Sequence, residues 1–186
     1  MKILHEIKKH IKIDLEIEKF FHEECETIGI EKNQLLSEQN YYNKKIYFVD
    51  EGMLRMYYYE NGRDITTNFY SEGQITANID TIFKNEPSRN NIETVEKSII
   101  TTCNYNQLEK LCSVSLTAAN FSRYILGNLM IQMSNRITYL QYMTAREKYQ
   151  QLLIENPTII LRVPLGMIAS YLGISQETLS RIRNEI

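Results

Sequence analysis

Near the end of the chain, Gln176, Glu177, Ser180, Arg181 and Asn184 recur at a spacing that sets them on one face of a helix. An arginine on such a face can donate two parallel bonds to O6 and N7 of guanine, and a glutamate can accept from the N4 amine of cytosine. Glu177 and Arg181 lie four positions apart, so they would reach adjacent base pairs. The plainer reading is a solvated i,i+4 ion pair worth a few tenths of a kcal/mol. Both hold if the pair orients Arg181 toward its base. Gln176, Glu177, Ser180 and Arg181 are therefore the candidates for base readout. Ser175, Thr178 and Arg183 are better suited to phosphate oxygens, which position a protein without specifying sequence.

Such a face must be held by a second helix, and the segment Leu165–Ile186 has what that requires. Ala169 is small where two helices must approach closely. Ile168, Leu172, Ile174, Leu179 and Ile182 supply the apolar contact, and Gly173 suits a turn at positive φ. Ser175 is placed to cap the second helix. The pattern is that of a helix-turn-helix.

Upstream, Leu126, Met133 and Leu140 recur every seven residues, with Leu129, Met130, Ile137 and Met143 beside them. The stripe predicts a long helix over 117–143 that pairs with a second copy of itself. The alternative is a core helix lying across the preceding domain. Arg136 falls at a seam position and does not suit a strict zipper. Thr144 begins a further helix that ends at Pro157.

From Lys44 the period changes to short runs rich in Tyr, Phe, Val, Ile and Thr: KKIYFVD, MLRMYYY, DITTNFY and IETVEKSIITTCNY. Asn61-Gly62 predicts a tight hairpin between the second and third runs. An antiparallel β domain is expected over roughly residues 40–105, preceded by amphipathic helix over 1–40 that includes Ile3, Ile7 and Ile11.

Helical N-terminus, β-rich middle, long helix and terminal helix-turn-helix together resemble the Crp/Fnr family of bacterial transcription regulators. The segments that carry the resemblance are KKIYFVDEGMLRMYYYENGRDIT, FYSEGQ, EPSRNNIETVEKS and AREKYQQLLIENPTIILRVPLGMIASYLGISQETLSRIR. It runs from about Asn43 onward and is nearest to the short regulators common in Bacteroidetes. It implies an α+β fold: an antiparallel β-roll like a cyclic-nucleotide-binding domain with flanking helices, a long dimerisation helix and a C-terminal helix-turn-helix. The run Glu177-Thr178-Leu179-Ser180-Arg181 is similar to the recognition helix of the fumarate–nitrate branch. There the matching Glu, Ser and Arg read a TTGAT-like half-site, which implies base readout by Glu177, Ser180 and Arg181. Family members commonly continue into a β wing, whereas this chain stops at Ile186, about ten residues into the helix. A short wingless form or a truncated end is expected, with weaker DNA affinity.

Cyclic-nucleotide binders of the family carry Gly-Glu, then Arg-Ser/Thr-Ala about ten residues later. With Gly73 aligned to the preceding glycine, Ala77-Asn78 stands where Gly-Glu belongs, and Ser88-Arg89-Asn90 stands at the second motif. Arg89 is one residue out of register, which on a strand reverses the face. This degenerate cassette of Gly73, Asn78, Ser88 and Arg89 is expected to lose tight cyclic AMP binding. A different small effector remains an open candidate.

Other chemistries find no support. Cys25, Cys103 and Cys112 are too few for an iron–sulfur cluster, and Cys103 and Cys112 are expected to be small buried hydrophobes. The three histidines, at 5, 10 and 22, lack the i,i+4 spacing of a helical metal pair, and none lies in residues 40–110. There is no paired-carboxylate or nucleophile–base arrangement. The expectation is a non-enzyme with no cofactor and no metal.

The chain has 186 residues and 43% hydrophobic content, enough for a core and too much for disorder. No apolar run reaches membrane-spanning length and no signal peptide is evident. The odd number of cysteines favours a reducing cytoplasm, which is the expected location. The net charge of −2 is unevenly spread: −5 over residues 1–110, +2 over 111–143 and +1 over 144–186. That is a weak electrostatic footprint for a DNA reader.

Three segments are expected: an effector or sensor roll (1–116), a dimerisation helix (117–143) and a DNA-binding domain (144–186). The expected partners are double-stranded DNA and a second copy of the chain, with RNA polymerase a further candidate and no membrane. The competing readings are a small-ligand sensor or a protein-interaction module whose DNA-binding domain is vestigial.

Overall fold

The computed structural model describes residues 8–9 and 13–185. Helix α1 (Leu15–Glu23) is capped by Asp14, whose carboxylate accepts from the Ile17 amide. Ile17, Phe20 and Phe21 form its buried face. Phe21 meets Phe48 and Phe121 edge to face, with ring centroids 5.3 and 5.7 Å away. The upstream positions Ile3, Ile7 and Ile11, with His5 and His10, lie outside the described residues.

The helix expected to run to residue 40 instead gives way to β1 (Cys25–Ile30) and β2 (Leu35–Ser37). Both are completed by strands far along the chain: β1 pairs with β8, where Thr27 and Thr101 are 74 residues apart. Their own burial patterns do not alternate cleanly, so the local sequence carried little strand period.

The remaining strands are β3 (Lys45–Glu51), β4 (Leu54–Glu60), β5 (Arg63–Tyr70), β6 (Ile75–Ala77), β7 (Asn91–Thr94) and β8 (Ser98–Asn104). They form two four-stranded sheets, ordered β1-β8-β3-β6 and β2-β7-β4-β5. The single run expected over 92–105 is thus two strands in different sheets. The first unit's core joins Tyr47, Val49, Leu54, Tyr70, Ile92 and Ile100. Gly52 turns β3 into β4 at φ +90, and a Cβ there would lie 2.3 Å from the Ser98 hydroxyl. Asn61 and Gly62, both at positive φ, make the two-residue turn between β4 and β5.

Helix α2 (Tyr105–Cys112), capped by Asn104, leads into the 27-residue helix α3 (Leu116–Tyr142). Then come α4 (Ala145–Glu155), α5 (Ile159–Arg162), α6 (Leu165–Leu172) and α7 (Gln176–Asn184). A capping box starts α4: the Glu147 amide donates to the Thr144 hydroxyl, and the Glu147 carboxylate accepts from the Thr144 amide.

The chain divides into two compact units. One holds Met1–Met56 and Phe69–Asn128; the other holds Tyr57–Asn68 and Leu129–Ile186. The second unit therefore includes the tip of the β4–β5 hairpin. There the Thr66 amide donates to Ser170 Oγ at 2.9 Å, and that hydroxyl donates to the Asp64 carbonyl at 3.0 Å.

Candidate nucleic-acid interface and effector cassette

Gly173 ends α6 in the left-handed region at φ 70, where a side chain would be strained, and its neighbour Ile174 donates its amide back to the Ala169 carbonyl. Ser175 then caps α7, its hydroxyl accepting from the Thr178 amide at 3.1 Å. Ile168, Ala169 and Leu172 of α6 are buried, as are Leu179 and Ile182 of α7. Ile174 is half-buried.

The opposite face of α7 is open. Gln176, Glu177, Ser180, Arg181 and Arg183 are exposed, as is Asn184. Glu177 sits in the first turn and Arg181 and Arg183 in the last, the order that complements the helix dipole. Thr178 is half-buried, and its hydroxyl lies 3.0 Å from that of Ser175. A phosphate contact at Ser175 or Thr178 would share an oxygen already engaged in the cap.

Two features of this unit were not anticipated from sequence. Gln176 Oε1 lies 3.5 Å from where a Cβ on Gly166 would stand, so that glycine leaves room for the glutamine beside α6. Arg146 on α4 reaches the end of α7: its Nη2 donates to the Glu185 carbonyl at 3.5 Å, and its Nη1 is 3.9 Å from the Glu185 carboxylate. Gly166 lies inside the helix-turn-helix segment and Arg146 beside the Thr144 cap, but the partner of each is fixed only where the helices pack.

On α3, Met130 is 67% exposed and Ile137 54%, with Leu126, Met133 and Leu140 also exposed and Leu129 half-buried. Arg136, beside this stripe, is engaged within the second unit. Its guanidinium stands 3.9 Å from the Tyr171 ring centroid and 5.4 Å from that of Tyr139, and it donates to the Tyr171 carbonyl. Burial pushes the Tyr171 hydroxyl pKa up, while the neighbouring guanidinium pulls it back.

The residues expected to form a degenerate cassette lie in the first unit. Gly73 adopts φ 81 and donates its amide to the Val49 carbonyl. Asn78 is 3% exposed and donates to Ser37 Oγ at 2.6 Å. Ser88 is buried, its hydroxyl donating to the Asn90 carbonyl. Arg89 points outward, with a side chain 73% exposed and its Nε 3.8 Å from Asp80. Between the two motifs runs one π-helical turn, Asp80–Lys84. Thr76 Oγ1, Asn78 Oδ1 and Thr81 Oγ1 are buried without a hydrogen-bond partner among the described residues.

Among the described residues no three His, Cys, Asp or Glu side chains are placed to share a metal ion. No described helix is long and apolar enough to cross a membrane. Cys103 is buried, but Cys112 is only half-buried, short of the buried position expected for it. Its place in the eight-residue helix α2 leaves one side open.

An antiparallel roll, a long helix and a terminal helix-turn-helix thus follow one another along the chain. Residues 28–115 match the family described as cyclic nucleotide-binding domain. No curated protein matches the chain by sequence. Solved structures match it closely in fold. FixK2 from Bradyrhizobium japonicum is similar at TM-score 0.75 and 19% identity, over 87% of this chain and 83% of that one. A crp/fnr-family protein from Eubacterium rectale, assigned as a transcriptional regulator, gives 0.74 and 17%, over 93% and 83%. A CooA variant from Carboxydothermus hydrogenoformans gives 0.67 and 18%, over 97% and 82%. Residues 28–115 are thus similar to a cyclic nucleotide-binding domain, and the chain shares the fold of solved structures that include a crp/fnr-family protein.

Proposed function

We propose that the protein is a sequence-specific regulator that binds a near-palindromic site on double-stranded DNA as a cytoplasmic homodimer. The observation that carries this reading is the division of α7 into two faces. Leu179 and Ile182 are buried against the helix-turn-helix, while Glu177, Ser180 and Arg181 stand exposed. Such a helix fits the major groove, with Arg181 and Glu177 as base readers and Arg183 on phosphate. The exposed apolar stripe of α3 supports pairing of two copies, which would set two recognition helices about one DNA turn (~34 Å) apart. RNA polymerase is the partner through which such a dimer would act.

The test is fluorescence anisotropy of a duplex with inverted TTGAT-like half-sites against a scrambled duplex, repeated over a salt series. Preference for the palindrome, with affinity falling as salt rises, is the expected result. Equal affinity for both duplexes would remove the reading.

Cyclic AMP is not the effector in this proposal, because the cassette arginine faces solvent and an asparagine replaces the ribose-binding glutamate. A second reading, in which the roll senses a small uncharged ligand, is favoured by the unpartnered oxygens of Thr76, Asn78 and Thr81. Ordered water would satisfy the same atoms. Native mass spectrometry of the purified protein distinguishes the two.

A further inference from the structure

Cys25 and Cys103 are remote in sequence but stand directly opposite each other in the β1–β8 ladder. Opposed residues of antiparallel strands have Cα atoms about 4.5 or 5.5 Å apart, and a disulfide needs about 4.4–6.8 Å. Their side chains share one face of the sheet. Two rungs along the same face, Thr27 and Thr101 are opposed in the same register, and their hydroxyls lie 2.8 Å apart. Side chains across this stretch of ladder therefore meet. All three cysteines are free thiols. Cys103 is 3% exposed, whereas Cys25 is half-buried and within reach of a reagent from solvent.

We propose that Cys25 and Cys103 form a dithiol site that a small disulfide, such as oxidised glutathione, converts reversibly and within one chain to a disulfide linking β1 to β8. Cys25 gives up its proton to water, and its thiolate attacks one glutathione sulfur. A protein–glutathione bond forms, the glutathione disulfide breaks, and one glutathione leaves as a thiolate that takes up a proton. Cys103 in turn gives up its proton, and its thiolate attacks the Cys25 sulfur, expelling the second glutathione as a thiolate that takes up a proton. Two protein thiols are oxidised and one glutathione disulfide is reduced to two thiols.

The chemistry is slow at neutral pH. Hydrogen bonding to the Cys103 thiol, then burial, push the Cys25 pKa up, so little thiolate is present. Oxidation accelerates in alkali. The bond would form one residue before Asn104, the cap of α2, and so would fasten α1–β1 to the strand that feeds the later helices.

The test is mass spectrometry of the full-length protein after incubation with oxidised glutathione at alkaline pH, with free thiols alkylated before digestion. The expected product is a chain about 2 Da lighter, with the Cys25 and Cys103 peptides joined, Cys112 alkylated and full reversal by dithiothreitol. Cys103→Ser should lose the link entirely and trap glutathione on Cys25. Cys25→Ser, at the more accessible position, should also lose it and leaves a second variant should the buried one fail to fold. Equal alkylation of all three cysteines, a link to Cys112, or a covalent dimer in place of the internal bond would each overturn the proposal.

Discussion

The guanidinium of Arg136, on α3, stacks 3.9 Å from the ring centroid of Tyr171, on α6, and donates to the carbonyl of the same residue. A residue at odds with an apolar seam thus joins the long helix to the first helix of the helix-turn-helix. Tyr139 extends the arrangement, its ring 6.3 Å from that of Tyr171 and its hydroxyl donating to the Lys148 carbonyl. Arg136→Ala removes a cation–π contact and a charge-assisted bond, and should cost about 1–3 kcal/mol in chemical denaturation of the helical unit. Arg136→Lys should recover little, because an ammonium cannot stack and donate as a planar guanidinium does. Wild-type stability in Arg136→Ala would show that the stack does not hold these helices together.

The seam can be tested separately from stability. Met133 is 52% exposed on α3, so aspartate there meets water in a single chain and a second carboxylate in a paired one. Met133→Asp should leave circular dichroism unchanged and sediment as a monomer. Ile154→Asp, at an exposed apolar position on α4, should sediment as wild type. A persistent dimer in Met133→Asp would place the interface elsewhere.

Sequence showed the helix-turn-helix almost completely because its requirements are local. Gly173, Ser175 and the buried Ile168, Leu172 and Leu179 act within one short segment, as Asn61-Gly62 does at the hairpin tip. Residues 25–37 were hidden because β1 and β2 owe their pairing to β8 and β7, and long-range partners leave no nearby period. The opposition of Cys25 and Cys103 was invisible for the same reason. Arg136 was legible as an exception on the stripe, but its target, Tyr171, is specified only by tertiary packing.

On α7, Arg181 is exposed and free of the caps that occupy Ser175 and Thr178. Arg181→Ala should weaken palindrome binding by about 1–3 kcal/mol and relax preference at one base pair of each half-site. Arg183→Ala should instead weaken all duplexes alike and lower the salt slope. Competition titrations with single-base variants separate these outcomes. A uniform loss in Arg181→Ala would reassign that side chain to phosphate.

Acid should act on the start of α4. Bonds from the Thr144 amide and hydroxyl hold the Glu147 carboxyl below its ordinary value of 4.5. A depressed carboxylate contributes stability above its unfolded pKa and loses it as pH falls through the folded one. Glu147→Ala should therefore be less stable than wild type at neutral pH, with the gap closing below about pH 4.5. Thermal melts of both proteins across that range measure it. A gap independent of pH would show that the glutamate contributes by packing rather than by its charge.

Cyclic AMP should leave the protein unmoved. A bound nucleotide would need a cation inside the roll for its phosphate, yet Arg89 faces solvent beside Asp80. It would also need a carboxylate for the ribose, whereas the buried side chain at that point is Asn78, already donating to Ser37. A ligand at a hundred times its dissociation constant would stabilise the fold by about 2.7 kcal/mol and raise the melting temperature by several degrees. Millimolar cyclic AMP should produce no such shift and no change in DNA affinity. Asn78→Glu alone should not create a response, because the phosphate would still lack its cation. A clear rise in melting temperature for the wild type would mean that Arg89 swings inward on binding, and would restore the nucleotide as an effector.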